Sequence, residues 1–182
     1  VVLSSSISNP NTIYAVFGSG YINEYGFNYS YGNHIIKTTD NGESWITTNI
    51  PDNYDNHSWA TLAWHALEIE IDPNNANIIY VGGLDLHKSI DGGNSWEKLS
   101  NWSLMYDGGG NEYVHADIHS ITFRNFSSDE FAITTDGGVF YTNNSESNQI
   151  TFSEHNKNYN TLQYYTGDIH PDTSQNIFIG GL

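Results

Sequence analysis

Apolar residues in this chain come in short alternating runs, separated by Asn, Asp, Gly, Pro and Ser. No window of about 12 residues carries a sustained i, i+3, i+4 apolar stripe, so helices are not predicted. Strand–turn–strand segments recur instead, over 7–16, 71–81, 123–133 and 169–179. The last three begin at steps of about 50 residues, whereas the first step is longer and places an insertion in the first unit. The second unit reads as four strands, at 64–71, 78–82, 86–90 and 96–99. The third reads as strands at 114–124, 131–134 and 139–142, with a fourth near 150–152.

One turn is marked more sharply than the rest: Ser89-Ile90-Asp91-Gly92-Gly93-Asn94-Ser95-Trp96. Short oxygen side chains accept hydrogen bonds from turn amides, and glycines supply the positive φ of a tight hairpin. Trp96 is expected to enter a core. The phrase occurs earlier as Thr38-Thr39-Asp40-Asn41-Gly42-Glu43-Ser44-Trp45. The shared pattern is hydroxyl-x-Asp-x-Gly-x-Ser-Trp, carried by Thr38, Asp40, Gly42 and Trp45, then by Ser89, Asp91, Gly93 and Trp96. A degenerate third copy, Thr142-Asn143-Asn144-Ser145, has Asn in place of Asp. A four-stranded unit repeating at about 50 residues fits a β-propeller blade. A flat sandwich would not explain a hairpin repeated at one place in each unit.

The expected fold is therefore all-β, with blades at approximately 1–57, 58–110, 111–158 and 159–182, the last incomplete. Propellers close with about 4–8 blades. Three and a half blades imply part of a larger ring, whose open sheets are completed by the rest of the propeller or by another chain.

Charge narrows the partners. Five basic side chains stand against 21 acidic ones, a net charge of −16. Phosphate binding needs clustered Lys and Arg, so nucleic acid is excluded and an anionic membrane surface disfavoured. No apolar run is long enough to cross a membrane. There is no Cys, so disulfides say nothing about compartment. The Asn-, Tyr- and Gly-rich, Lys-poor composition has an extracellular character.

The two marked turns resemble Asp-box (BNR) repeats. The strand–turn–strand context resembles the propellers of the family-74 xyloglucanase-type glycoside hydrolases and of sortilin. Thr135-Asp136-Gly137-Gly138-Val139-Phe140-Tyr141 is similar to the Thr-Asp-x-Gly-Gly-x-Tyr stretch of those hydrolases, one residue shorter. The resemblance implies a seven-bladed type of ring, with Asp40 and Asp91 as structural residues at the outer rim of a hairpin. It implies a glycan-directed protein, hydrolytic or polysaccharide-binding; a non-catalytic module for adhesion or peptide binding is the alternative. Asp-box sialidases clamp the substrate carboxylate with three arginines. This chain has one, Arg124, and Lys does not replace a bidentate guanidinium, so a sialidase is disfavoured.

In such a propeller the connections between the second and third strands, and between blades, gather on one face. The first blade's insert, 18–33, then becomes a loop bearing five aromatics, among them Tyr21, Tyr25 and Tyr29. The interblade connections add Trp59, Trp102 and Tyr106. Flat rings with polar edges suit sugar rings or peptide side chains; packing of the loops on one another is the alternative. The carboxylates of the same face are Asp85, Asp117 and Asp136, with Asp85 a ligand-contact candidate beside the rings. Glycoside hydrolysis needs two, and Asp136 and Asp117 are the catalytic candidates, Asp136 by its match to the family stretch. His115-Ala116-Asp117-Ile118-His119 has the alternation that places His115, Asp117 and His119 on one side of a strand. Two imidazoles and a carboxylate suit zinc, or equally a hydrogen-bonded network around the channel. No cofactor is expected; a calcium site among the many Asp and Asn oxygens is the further alternative to zinc, without a 12-residue loop signature.

Overall fold

The computed structural model describes residues 1–52, 58–158, 166–169 and 178–181. Three four-stranded antiparallel sheets follow one another along the chain, then a two-stranded one. The first contains β1 (Val2–Ser5), β2 (Ile13–Ile22), β3 (Asn28–Thr38) and β4 (Ile46–Thr47). The second contains β5 (Glu68–Ile71), β6 (Ile79–Gly82), β7 (Leu86–Ser89) and β8 (Glu97–Lys98). The third contains β9 (Ile118–Phe123), β10 (Phe131–Thr135), β11 (Gly138–Thr142) and β12 (Ser153–Glu154). Strands β13 (Thr166–Ile169) and β14 (Phe178–Gly181) pair at the end. Each full sheet is an up-and-down meander in chain order, which is how a propeller blade is built.

The middle blade shows why its strands are apolar on both faces. In β6 every residue is buried. Ile79 and Val81 pack with Tyr14, Val16 and Ile35 of the first blade. Tyr80 packs with Ile121, Phe131, Ile133 and Phe140 of the third. Alternate side chains point to opposite sides of a strand, so one strand serves two interblade cores. A buried Ile or Val stabilises by about 1.5–3 kcal/mol, and here that contribution also joins blades. Gly82 ends the strand where Ile118 of the next blade approaches so closely that a Cβ would collide with its side chain.

The two marked turns form the same hydrogen bonds. Thr38 Oγ donates to Asp40 at 2.6 Å, and Ser44 gives its amide and hydroxyl to the Asp40 carboxylate at 2.9 and 2.6 Å. Ser89, Asp91 and Ser95 repeat this at 2.8, 2.9 and 2.6 Å. Gly42 and Gly93, both at positive φ, donate their amides to the leading hydroxyl at 2.9 Å. In the third blade Asn144 takes the place of Asp, accepting from the Thr151 amide at 3.0 Å. Trp96 is half-buried against the first core rather than enclosed, and its indole N–H donates to Asn49 O of the preceding blade at 3.0 Å. Trp45, its counterpart, is exposed.

A second repeat joins the blades. Tyr14 and Lys37 face each other across β2 and β3, as Tyr80 and Lys88 do across β6 and β7. Each ammonium lies over its ring, at 5.2 and 5.4 Å. Both tyrosines then reach into the next blade, Tyr14 Oη to Ala76 O at 3.3 Å and Tyr80 Oη to Ser145 Oγ at 3.4 Å.

Several expectations change. The 18–33 insert is not a loop: β2 and β3 run on as a long hairpin in which Tyr21 pairs with Tyr29, leaving a turn over 23–27. The Asn23 side chain caps that turn by accepting from the amides of Tyr25 and Phe27. The fourth strand of the third blade lies at Ser153–Glu154, just beyond the buried Ile150 and Phe152. A 3-10 helix, η1 (Trp102–Asp107), occupies the connection after the second blade, capped by Asn101 at its start and by left-handed Gly108 at its end. A capped helix of two short turns leaves no long apolar period in the sequence.

Candidate functional site

The connections do gather on one face. Ala63 N donates to Ser30 O, Leu84 N to Trp59 O and Ile118 N to Gly83 O, which ties the hairpins of two blades to the connections on either side of the second blade. Asp136 and Gly137 form a two-residue turn between Thr135 and Gly138, with Gly138 at positive φ. The turn is held from below, where Asn156 donates to Gly137 O at 2.9 Å and accepts from Val139 N at 2.8 Å.

Asp136 is the centre of the face. Its Oδ1 lies 2.6 Å from His119 Nε2 and 3.3 Å from His65 Nε2, and its Oδ2 lies 3.4 Å from His65 Nε2. The two imidazoles meet edge to face at 4.8 Å. Trp64 lies beside them, its ring 5.2 Å from that of His65 and its surface 70% exposed. Burial works to raise the Asp136 carboxyl, and the hydrogen bonds from His119 and His65 outweigh it, leaving it below the usual carboxylate range. Asp117 moves the other way: burial, then the charge of Asp136, pushes its carboxyl up. Its Oδ1 is buried without a hydrogen-bond partner among the described residues.

The expected row of His115, Asp117 and His119 does not form. Asp117 has φ of 63°, so the extended strand begins only at Ile118 and the period-two alternation does not reach back to His115. His115 Nδ1 sits 3.0 Å from Ala116 O, and its ring covers Gly137 so tightly that a Cβ there would strike it. His119 instead joins Asp136 from the neighbouring turn and His65 from the preceding blade.

Asp85 and Trp59 are corrected as ligand-contact candidates. Trp59 is only 3% exposed, and its indole N–H donates to Gly32 O at 2.7 Å, so it is a core residue. Asp85 is buried, paired to Lys98 at 2.7 Å, and accepts from Ser100 Oγ and Trp102 N at 3.2 and 2.8 Å. Both line a cavity of about 170 Å³ together with Ser58, His87 and Trp102. Burial, then the charge of Lys98, pushes His87 down to about 4, and its Nδ1 has no partner among the described residues. Trp102 is half-buried, with Tyr106 at 6.0 Å. Tyr106 and Tyr25 are 76% and 77% exposed. The side chains of Tyr21 and Tyr29 lie outside the described residues.

Trp64 and His65 are the residues that sequence reasoning missed as a site. Both fall in a stretch read as strand, but the strand begins at Glu68, and His65 N and Ala66 N both donate to Leu62 O in a turn. The signal available was the repeat alignment, which sets His65 at the position of Asp117, both polar.

No family model matches the chain. A xyloglucanase of Hypocrea jecorina is 38% identical over 72 residues, which is 38% of this chain and 8% of that protein. Among solved structures, a GH74 enzyme of Niastella koreensis superposes with a TM-score of 0.56 at 20% identity, over 84% of this chain and 22% of its own. A GH74 xyloglucanase from Xanthomonas campestris gives 0.55 at 14% identity, over 84% and 22%. An ancestral GH74 enzyme gives 0.50 at 20% identity, over 83% and 17%. The chain thus spans about a fifth of each of these three enzymes and 8% of the xyloglucanase. At these identities the likeness is one of fold, and the fold is that of a partial β-propeller.

Proposed function

We propose that this chain is part of a secreted or cell-surface propeller directed at glycans, with the Asp136 face as its contact surface. The observation that carries this reading is the exposed Trp64 ring beside the His65–Asp136–His119 constellation. A flat apolar ring takes the face of a sugar, while imidazoles and a carboxylate take its hydroxyls. Tyr25 and Tyr106, exposed on other connections, are further stacking candidates. The partial similarity to a named xyloglucanase agrees with a plant-type β-glucan as ligand. In a hydrolytic version of this site Asp136, held ionised, suits the base or nucleophile, and Asp117, pushed up, suits the proton donor.

The experiment is a glycan array and a hydrolysis screen with the full chain, repeated with Trp64→Ala and Asp136→Ala. Selective binding of a β-glucan class, weakened about tenfold or more by Trp64→Ala, is expected for a stacking residue. Hydrolysis abolished by Asp136→Ala would assign the carboxylate. Blank results in both assays with a folded chain would overturn the reading and leave an adhesion or peptide-binding module in its place.

A further inference from the structure

Three segments distant in sequence deliver three ligand-type atoms to one point. His65 comes from the turn before β5, His119 from β9 and Asp136 from the β10–β11 turn. Their donor atoms all lie within 4.8 Å of one another. Zinc bonds of about 2.0–2.2 Å at tetrahedral angles put two ligand atoms about 3.3 Å apart. The separation of His65 Nε2 from the Asp136 oxygens, 3.3 and 3.4 Å, already has that value. His119 Nε2, at 2.6 Å from Oδ1, is at hydrogen-bond distance, and needs to open by about 0.7 Å, within reach of a small side-chain rotation. The His65 and His119 side chains are 30% and 32% exposed, so an ion has a path in and room for further ligands.

Charge points the same way. The ion-pair partners of Asp136 among the described residues are the two histidines. A divalent cation would take the place that a shared proton holds between the Asp136 carboxylate and the two imidazoles. Imidazole donors select a transition metal over calcium or magnesium, which take oxygen.

We propose that His65 Nε2, His119 Nε2 and the Asp136 carboxylate bind one divalent transition-metal ion of the zinc class, with coordination positions left open toward solvent. Two histidines, a carboxylate and open positions are the ligand set of a reactive or ligand-accepting site rather than of a closed structural one. The open positions face the surface proposed above for glycan contact, and sugar hydroxyls are among the ligands they accept. The metal site stands on its own geometry, and a blank glycan array would leave it untouched.

The test is calorimetric titration of the chelator-stripped full chain with zinc chloride, followed by cobalt(II) loading read by visible absorption. One ion per chain is expected, with micromolar or tighter affinity and a cobalt band. His65→Ala and His119→Ala should each weaken zinc by more than about 100-fold, beyond the 10–100-fold usual for losing an outer-shell partner. His34→Ala, at an exposed histidine elsewhere, should leave binding unchanged. The proposal is overturned by a folded chain with no saturable zinc heat and no cobalt band. It is equally overturned if both site variants bind as the parent does, or if His34→Ala weakens binding as much as they do. The cobalt spectrum of the unaltered chain carries the test should a variant fail to fold.

Discussion

Glu68→Gln is expected to stabilise the protein at pH 8 and to do almost nothing at pH 5. Glu68 opens β5, opposite Gly82 of β6. Burial, then the charge of Glu70 on the same strand face, pushes its carboxyl from 4.5 up to about 7. The folded state therefore keeps a proton that the unfolded chain releases between pH 4.5 and about 7. Across that window folding loses stability as pH rises, and above it the whole penalty is present. A shift of this size corresponds to at most about 3.4 kcal/mol at roughly 1.36 kcal/mol per pH unit. Glu68 keeps partial access to water, so screening reduces the figure to about 1–2 kcal/mol. For a chain of this length that is about 3–6 °C in Tm. Gln keeps the shape without the charge, and urea midpoints for both proteins at pH 5 and pH 8 measure the difference. An equal difference at the two pH values, or a variant weaker at pH 8, would refute the assignment of the penalty to Glu68.

Gly82→Ala pushes a methyl group into Ile118 and should cost about 1–3 kcal/mol by overpacking; a urea midpoint unchanged from the parent would show that the second and third blades are not in close contact there. Lys98→Met leaves the buried Asp85 without its cation and should cost about 2–4 kcal/mol at pH 7.5, partly recovered in the double variant with Asp85→Asn; no loss would mean that the ion pair does not stabilise the fold. Hydrogen bonds from Ser95 and Ser89 hold Asp91 down near 2, so its stabilising effect is present above pH 4 and fades as pH falls toward 2. Acid titration of Asp91→Asn should accordingly start from lower stability at neutral pH and be shallower between about pH 4 and 2 than the parent, and a curve parallel to the parent's would count against it.

The repeat was legible because its determinants are local. Each marked turn folds on hydrogen bonds between residues two to four apart, so the phrase reports its own conformation. The strands of the second blade were legible because β6 must be apolar on both faces, and Ile79-Tyr80-Val81 says so directly. What failed was a local break in the backbone that the sequence does not mark, and contacts set across blades. The alternation of His115, Asp117 and His119 holds only while φ stays extended, and Asp117 breaks it. Trp59 has the sequence character of a loop aromatic, and only the approach of Gly32 makes it core. The Tyr14–Lys37 and Tyr80–Lys88 pairs have no common spacing, because a long hairpin separates one pair and a short one the other. The candidate site was half visible: Asp136 and His119 were named, but as members of different sites. Their union with His65 depends on two blades meeting.

The most direct measurement of the central claim is the crystal structure of the full chain soaked with a xyloglucan-derived oligosaccharide. The account predicts a sugar ring stacked on Trp64, with hydroxyls within hydrogen-bond or coordination reach of His65, His119 or Asp136. An oligosaccharide bound elsewhere, with the Trp64 face bare and accessible in the crystal, would contradict it.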